Sequence, residues 1–450
     1  MQNDKKYFQH FCIKKGEYMI PRINSSINFA SNQKQYSAPL GKNYIKQERL
    51  VDTFVKLAKI DSGSCEESAE KQIPSTDCQK EMAKILAKEL ADIGLEDVKI
   101  DENYIVSATL NSNLDKPSKT IGFIAHYDTS EDAPNKNVKP QIHQYTKGDI
   151  RLKDETVISE EDLAPYQNQE IITSDGTTLL GADDKAGIAE ILEVARVFIQ
   201  NPDLKHPTIK IAFTPDEETG EGILKFDINS FGADVAYTVD GTLPEIIQNE
   251  TFNAFNSEII IQGNQVHPGH AKGKMINSLE VAAWFMSKIP QNEKPQTTEG
   301  KEGFYHIDKI SGTVGETKIN MLIRDHDLEK AKNRTKFIEE LCKEAEEKFG
   351  CKIGLNTKEC YLNMKEYIDK CPEVMKNAIE GIKRSELTPK CEAIRGGTDG
   401  SELSAQGLPT PNLGAGGLNF HSKAEFLPVS SLVKCCENIF NIIQCWSDNN

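Results

Sequence analysis

Three short and almost entirely apolar runs, at residues 121–125, 209–213 and 235–239, constrain the fold of this chain most strongly. Strands of this composition are typical of a sheet that is buried on both faces. Between and around these runs, segments such as 79–93 and 188–198 carry apolar residues at helical spacing. Because strand-like and helix-like segments alternate, the sequence predicts an α/β layered domain with helices on both sides of a sheet.

The pattern changes after residue 251, where strands and helices no longer alternate one by one. The segments there have the periodicity of a strand, a helix, two strands, a helix and a strand, at 257–262, 278–289, 301–308, 317–325, 327–349 and 352–361. This β-α-β-β-α-β order is typical of a ferredoxin-like α+β unit. We therefore predict that a ferredoxin-like domain is inserted into the α/β domain.

The predicted boundaries divide the chain into four parts. Residues 1–45 show little periodicity and are expected to be an irregular N-terminal extension. The α/β domain spans 46–253, is interrupted by the insertion at 254–361, and resumes at 362–450. Within its first part, the sequence predicts a long polar connection between about residues 130 and 170.

The charge and cysteine content of the chain exclude several classes of protein. The 450 residues include 53 basic and 69 acidic side chains, a net charge of −16, which disfavours nucleic acid or an anionic membrane as a partner. No run approaches the roughly 20 apolar residues needed to span a bilayer. The 11 cysteines are odd in number and unpatterned, which favours free thiols. We expect a cytoplasmic protein with no nucleic-acid or membrane partner.

Two of the apolar runs end in residues that can bind metal ions. His126 and Asp128 follow the first run, and because residues i and i+2 of an extended segment share a face, their side chains should lie together. Three acids, Asp216, Glu217 and Glu218, follow the second run. Adjacent carboxylates repel one another unless a cation compensates them, so a metal-binding cluster is one interpretation and a solvated acidic loop is the other.

Further candidate ligands lie at equivalent places along the chain. Asp183 and Asp184 precede a helix, where acids can also serve only as caps. Asp240 ends the third apolar run, and His421 follows a glycine-rich stretch. Taken together, these histidines and carboxylates suit two divalent ions such as zinc, with one carboxylate bridging them. A spare Glu beside a ligand would then provide a proton acceptor.

The motifs that carry these residues resemble those of a known family. They are HYD at 126–128, GADDKAG at 181–187, DEE at 216–218 and VDG at 239–241. They are similar to the motifs of the di-zinc exopeptidase family that includes aminoacylase and glutamate carboxypeptidase. Longer segments, such as TTLLGADDKAGIAEI and RGGTDGSELSAQGLPTPNLGAGGLNFHSKAEF, resemble the tripeptide aminopeptidases of that family. The resemblance covers about residues 47–445. It implies a mixed-sheet di-zinc peptidase domain with an inserted lid and dimerisation domain.

The resemblance also implies which side chains bind the metals. The ligands would be His126, Asp183, Glu218, Asp240 and His421. His126 and Asp240 would hold one zinc ion, Glu218 and His421 the other, and Asp183 would bridge the two. Cobalt or manganese could occupy the same ligands, since imidazole and carboxylate also accept these ions.

Four more residues receive roles from the resemblance. Glu217 would be the general base and then the general acid, and Asp128 would orient the ligand histidine beside it. His267 matches a position that hydrogen-bonds the developing oxyanion, in dimeric relatives from the partner subunit. Arg395 matches a position expected to contact substrate.

These expectations together describe a di-zinc aminopeptidase. It would release the N-terminal residue from short peptides, chiefly tripeptides with a free N-terminus, and would form a homodimer through the inserted domain. Two alternatives remain open. A di-zinc carboxypeptidase or N-acyl-amino-acid deacylase of the same fold would use the same ligands on other substrates. A non-catalytic, zinc-stabilised binding protein would need no spare base such as Glu217.

Overall fold

The computed structural model describes residues 39–448 of the chain. The strands of this part are β1 (Glu96–Ile100), β2 (Val106–Leu110), β3 (Ile121–His126), β4 (Gln141–Gln144), β5 (Ile150–Arg151), β6 (Val157–Ile158), β7 (Glu170–Thr173), β8 (Ile209–Thr214), β9 (Val235–Gly241), β10 (Ile246–Glu250), β11 (Asn253–Gln262), β12 (Phe304–Gly312), β13 (Glu316–Asp325), β14 (Lys352–Tyr361), β15 (Lys390–Ala393), β16 (Asn412–Gly414) and β17 (Phe426–Pro428). Its α-helices are α1 (Gln47–Ala58), α2 (Glu66–Ala69), α3 (Asp77–Ile93), α4 (Glu160–Leu163), α5 (Ala182–Gln200), α6 (Ile228–Phe231), α7 (Ser278–Lys288), α8 (Leu328–Phe349), α9 (Lys365–Ile368), α10 (Pro372–Arg384), α11 (Asp399–Ala405) and α12 (Val429–Asp448). None of these helices is both long and apolar enough to cross a membrane.

The three apolar runs form the centre of an eight-stranded mixed sheet. Its strand order is β1-β2-β8-β3-β9-β16-β10-β15. Strands β8, β3, β9 and β16 run parallel to one another, whereas β2 and β10 are antiparallel to their neighbours β8 and β16. Every residue of β3 is buried. The α/β class and the mixed sheet that the sequence predicts are therefore confirmed.

Helices cover both faces of this sheet, as its apolar strands require. Helix α5 lies on one face and packs against α1 and α12, and its apolar residues share a buried cluster with Phe123 and Tyr237 of the sheet. On the other face, Phe226 and Phe231 pack against the sheet residues of a smaller cluster. Helix α5 comes very close to β9 at Gly187, where an added Cβ would lie 2.0 Å from the carbonyl oxygen of Val239. Only glycine permits this approach.

The second sheet is antiparallel and has four strands. Its order is β12-β13-β11-β14, and α7 and α8 pack on one of its faces. Phe285 and Ile338 of the helices share a buried cluster with Ile259 and Ile319 of the strands. The order β11-α7-β12-β13-α8-β14 is the β-α-β-β-α-β arrangement predicted from the sequence. Strands β11 and β14 connect this unit to the α/β domain at Asn253 and Tyr361.

Two sequence-based expectations are wrong in detail. The polar connection predicted near residues 130–170 contains β4, β5, β6 and α4, and its last residue begins β7. Strand β7 pairs with β17, about 250 positions later in the chain, and periodicity in a short window cannot detect such a distant partner.

The extension predicted at residues 1–45 is not irregular at its end, because Gly41–Asn43 form a 3-10 helix and the Gly41 N–H donates to Asn441 Oδ1 at 2.9 Å. Residues 1–38 lie outside the described residues.

Glu190 is an isolated acid in the core. Its side chain lies on α5 with no exposed surface, and neither carboxylate oxygen has a hydrogen-bond partner among the described residues. Burial raises its pKa well above the ordinary range of glutamate. The folded protein therefore holds a proton at Glu190 that the unfolded chain releases above a pKa of about 4.3.

We expect Glu190→Gln to become more stable than the parent protein as the pH rises. Above about pH 4.3 the parent loses about 1.4 kcal/mol of stability per pH unit through this group, until the folded pKa is passed. Urea denaturation at pH 5 and pH 8 would measure the difference. Glu161→Gln, at an exposed site on α4, is the control and should show no such slope. A constant difference between Glu190→Gln and its parent across this range would contradict the prediction.

Candidate metal centre

The predicted site residues gather at one edge of the main sheet. Strand β3 ends at His126, and its neighbour β9 carries Asp240 next to its last residue. On the other side of β3, β8 ends just before Glu217 and Glu218. Asp183 lies at the start of α5, and the peptide bond between it and Asp184 is cis. Because parallel strands bring their carboxyl ends to the same edge, side chains far apart in sequence become neighbours.

Asp183 lies between the two histidines. Its Oδ1 is 2.8 Å from His126 Nε2, and its Oδ2 is 3.4 Å from His421 Nε2. Asp240 Oδ1 is 3.4 Å from His126 Nε2, and Glu218 Oε2 is 2.9 Å from His421 Nε2. The structure therefore brings the five predicted ligands together as two groups that share Asp183.

The donor atoms of these groups fit divalent metal ions. Imidazole nitrogens and carboxylate oxygens are suitable ligands for zinc and similar ions. Two atoms bound to one tetrahedral zinc at about 2.0–2.1 Å would lie about 3.3 Å apart, close to the spacings between the ring nitrogens and the carboxylates. Glu218 Oε1 is buried and has no hydrogen-bond partner among the described residues. It is therefore free to bind an ion.

The electrostatics of the site favour a cation. Burial raises the carboxyl pKa of Glu218 to about 7 and that of Asp240 to about 6, and the neighbouring Asp183 carboxylate adds to both shifts. A bound cation would relieve this repulsion. Asp184 also lies close enough to His126 and Asp240 to join a metal group. However, its two oxygens accept hydrogen bonds from the backbone N–H groups of His126 and Gly187, each at 3.2 Å.

Asp128 connects the two strand ends. Its Oδ1 accepts a hydrogen bond from His126 Nδ1 at 3.2 Å and from the Glu217 N–H at 3.0 Å. Its Oδ2 accepts from the Glu218 N–H at 3.3 Å. The carboxylate therefore fixes the ring of one candidate ligand and the backbone that carries Glu217 and Glu218. It lies where an orienting residue is expected, and its role in metal binding stays a prediction.

The three consecutive acids at the end of β8 point in different directions. Asp216 adopts a left-handed backbone conformation, with φ of 51°, which turns its side chain away from its neighbours. Its buried carboxylate accepts hydrogen bonds from Ser75 N–H at 2.6 Å, Ser75 Oγ at 2.5 Å and Gln79 Nε2 at 2.6 Å. Asp216 thus anchors the turn, while Glu217 and Glu218 face the cleft.

Glu217 and Glu218 line a cleft of about 570 Å³ between the α/β domain and the second sheet. Burial raises the pKa of Glu217 well above its ordinary value. Across the cleft, the second sheet contributes two basic residues and one acidic residue to the wall, with Tyr361 beside them: Arg324, Lys358 and Glu359. No carboxylate in residues 39–448 forms an ion pair with Arg324. Its guanidinium hydrogen-bonds Asn256 Oδ1 at 3.1 Å and lies 5.6 Å from the Tyr361 ring.

Two predicted residues lie outside this cluster. His267 is exposed on the second domain, where its Nδ1 accepts from the Gly269 N–H at 3.1 Å and its ring lies 5.6 Å from that of His270. Arg395 points into a loop of the second domain, and its Nη1 donates to the Gly300 carbonyl at 2.9 Å. Neither residue lines the cleft. Their predicted contacts with substrate stay predictions.

Sequence analysis missed two acids that support the candidate ligands. Asp132 Oδ2 is 2.9 Å from His421 Nδ1, on the side of the ring opposite Glu218. Glu425 accepts hydrogen bonds from the N–H groups of Leu180 at 2.7 Å, Gly181 at 2.8 Å and Asp183 at 3.1 Å. Both acids lie within six positions of a predicted ligand histidine, at a spacing that could have drawn attention to them. Their contacts depend on loops that meet only in the folded chain.

Comparison with known proteins agrees with this architecture. A family model described as a peptidase dimerisation domain matches residues 249–349. A peptidase T from Geobacillus thermodenitrificans is 46% identical over 407 residues, which cover 89% of this chain and 98% of that protein. The chain is similar to a solved aminopeptidase PepT from Bacillus cereus, with a TM-score of 0.72, 26% identity and coverage of 90% and 99%. A tripeptidase structure from Staphylococcus aureus gives a TM-score of 0.73, 26% identity and coverage of 90% and 100%. The chain belongs to the peptidase T family.

Proposed function

We propose that this chain is an aminopeptidase that releases the N-terminal residue of tripeptides and uses two divalent metal ions, with zinc as the expected ion. The observation that carries the proposal is the position of Glu217, in a cleft beside Glu218 and the rest of the candidate metal cluster. A purely structural metal site would need neither a cleft nor a spare carboxyl group. Membership of the peptidase T family and the likeness to a solved tripeptidase support the substrate class.

The candidate ligands would hold the two ions in the groups that share Asp183. His126 and Asp240 would complete one site, and Glu218 and His421 the other. Bound divalent ions supply Lewis acidity, which polarises a carbonyl and makes water a stronger acid. Cobalt and manganese suit the same donors.

Glu217 would move the proton in this reaction. Its carboxyl group lines the cleft without a place among the five candidate ligands, and the Asp128 carboxylate fixes its backbone N–H. A carboxylate there can accept a proton from the attacking water and return it to the nitrogen of the leaving dipeptide. Burial raises the pKa of Glu217, which makes its carboxylate a stronger proton acceptor than an exposed one.

The charges of the cleft match a free tripeptide at both ends. Asp399 and Glu402, which are not candidate ligands, line the side that belongs to the α/β domain and favour a positive α-ammonium group. Arg324 lines the opposite side and has no carboxylate partner in the described part of the chain. We propose that Arg324 binds the C-terminal carboxylate of the peptide, because a guanidinium without a carboxylate partner is a strong hydrogen-bond donor to one.

His267 would act in the partner subunit of a homodimer. It lies on the second domain, which carries the match to a dimerisation domain, and it does not line the cleft of its own chain. A homodimer that exchanges this histidine would complete both sites. We also propose a cytoplasmic location, which the ten free cysteines of the described residues support.

Replacing Glu217 should abolish turnover and leave the metal content unchanged. Glu217→Gln keeps the shape of the side chain but cannot accept a proton, and such groups contribute about 10²–10⁴ to the rate. Activity assays and metal analysis on the same sample would test this, with Glu161→Gln on exposed α4 as the control. Loss of one ion per chain would identify Glu217 as a ligand and contradict the assignment.

A tripeptide of three different residues should lose only its N-terminal residue. The N-acetylated peptide should be cleaved hardly at all, since it lacks the ammonium group. The C-terminal amide should show a higher KM, since it lacks the carboxylate that Arg324 would bind. Chromatography of the products distinguishes the alternatives. Efficient cleavage of the acetylated peptide would support a deacylase, and release of the C-terminal residue would support a carboxypeptidase.

Asp132→Ala should weaken one metal site and leave the other unchanged. Asp132 holds His421 Nδ1, and loss of such an orienting carboxylate typically costs 10–100-fold in metal affinity. Zinc titration of the metal-free protein would resolve two affinities, of which one should fall. The control is Asp149→Ala, which removes an acid that pairs with Arg151 and is not among the candidate ligands or their hydrogen-bond partners. Two unchanged affinities for Asp132→Ala would contradict its role.

Mixing two inactive variants should restore activity if His267 acts across subunits. His267→Ala removes an oxyanion donor, a loss that typically costs about 10²–10³ in kcat. In a heterodimer with Glu217→Gln, one site is intact and the other carries both defects. Random exchange makes about half of the dimers mixed, so about a quarter of the parental activity should return. No recovery after verified subunit exchange would show that His267 does not act in the partner subunit.

A further inference from the structure

The Arg395 side chain extends from the α/β domain to a loop of the second domain. It lies between β15 and α11, and its Nη1 donates to the carbonyl oxygens of Gly300 at 2.9 Å and Glu302 at 2.8 Å. Its Nη2 donates to Thr298 Oγ1 at 2.7 Å. The loop 298–302 directly precedes β12. One guanidinium therefore holds three acceptors across the junction between the domains.

Two aromatic rings enclose the same guanidinium. Its carbon lies 5.3 Å from the centre of the Phe252 ring and 5.5 Å from that of Phe304. Phe252 lies in the connection from β10 to β11, and its N–H donates to the Gly396 carbonyl at 3.3 Å. A planar guanidinium can stack on rings and donate in several directions, which a lysine ammonium does less well. Arginine therefore suits this site better than lysine would.

The loop that Arg395 holds presses against the strand that carries Arg324. Phe304 is the cross-strand partner of Arg324 in the pairing of β12 with β13. At Gly303, an added Cβ would lie 2.6 Å from the Arg324 carbonyl oxygen, so the loop touches the Arg324 backbone. Loop 298–302 is therefore linked to the Arg324 backbone through Gly303 and Phe304.

The chain that follows Arg395 packs against an aromatic ring that Arg324 also contacts. At Gly397, an added Cβ would lie 2.8 Å from the Tyr361 ring, so the backbone passes directly against that ring. The Arg324 guanidinium lies over the same ring. The next residue, Thr398, belongs to the wall of the cleft. Arg395 and the glycines after it thus connect that wall to Arg324.

We propose that Arg395 is a positioning residue that acts through Arg324. By holding loop 298–302 and the Phe252 connection, it sets where Arg324 lies across the cleft from the candidate metal cluster. That placement fixes the span available between the two ends of a peptide and so favours tripeptides. The inference rests on the proposed role of Arg324 as the anchor of the substrate carboxylate.

Steady-state kinetics of Arg395→Ala test the proposal. We expect KM for a free tripeptide to rise about tenfold while kcat changes less than threefold and the metal content stays at the parental value. On the C-terminal amide of the same peptide, which offers Arg324 no carboxylate, the variant and its parent should have equal kcat/KM. Arg151→Ala, a loss of arginine at an exposed site, is the control and should leave both substrates unaffected. An equal loss on both peptides would show a general structural defect and overturn the proposal.

A double-mutant comparison separates action through Arg324 from independent action. If Arg395 works only by placing Arg324, then Arg324→Ala alone and Arg324→Ala with Arg395→Ala should have the same KM for the free tripeptide. Additive increases in KM would mean that Arg395 acts independently, which would overturn the proposal.

Hydrogen exchange gives a result that does not depend on activity. In Arg395→Ala, backbone amides of residues 298–304 should exchange faster, while those of β3 should not change. Unchanged exchange in this loop would overturn the proposed clamp whatever the substrate of the enzyme. If the loop loosens but Arg324→Ala does not raise KM, the clamp exists and the proposed anchor is wrong, so the inference fails together with that anchor.

Discussion

The candidate site depends on the Asp128 carboxylate, which receives hydrogen bonds from one ring and two backbone amides. These donors belong to His126 at the end of β3 and to Glu217 and Glu218 after the end of β8. A single buried carboxylate therefore sets the distance between a candidate metal ligand and the proposed base. Without it, the His126 ring and the backbone N–H groups of Glu217 and Glu218 would lose the acceptor that they share. The proposed reaction requires this spacing, because the base must lie beside the metal cluster.

The sheet can carry several buried acids at one edge because the packing of its two faces, and not the site, stabilises it. Both faces of β3, β8 and β9 are packed by apolar side chains, so the strand ends are rigid even though they carry mutually repelling acids. Burial and repulsion raise the pKa values of Glu218 and Asp240, a cost that metal ions would offset. Two further acids hold the candidate ligands in place through hydrogen bonds. Glu425 binds the backbone before α5, and Asp132 binds the outer nitrogen of His421.

The second domain supplies the charge that the first lacks. The α/β side of the cleft is acidic, and the guanidinium of Arg324 stands opposite it on β13. A substrate with a positive and a negative end would be oriented by these two walls before any reaction. The Arg324 guanidinium donates to Asn256 and the Phe255 carbonyl of its own sheet, and Arg395 would place that sheet edge through loop 298–302 and Phe252. Substrate length would then be set by domain placement as well as by the chemistry of the site.

The sequence by itself determined the α/β class, the inserted β-α-β-β-α-β unit and the positions of the candidate ligands. It could do so because buried parallel strands read as apolar runs, and because ligands follow such strands at their carboxyl ends. Tertiary structure alone decided which of the three consecutive acids after β8 face the cleft and which does not. The left-handed backbone at Asp216 turns that carboxylate towards Ser75, away from the cleft. Only the meeting of distant loops brings Asp132 to His421 and Arg395 to Gly300. Local periodicity carries no information on contacts between segments that are hundreds of residues or a whole domain apart.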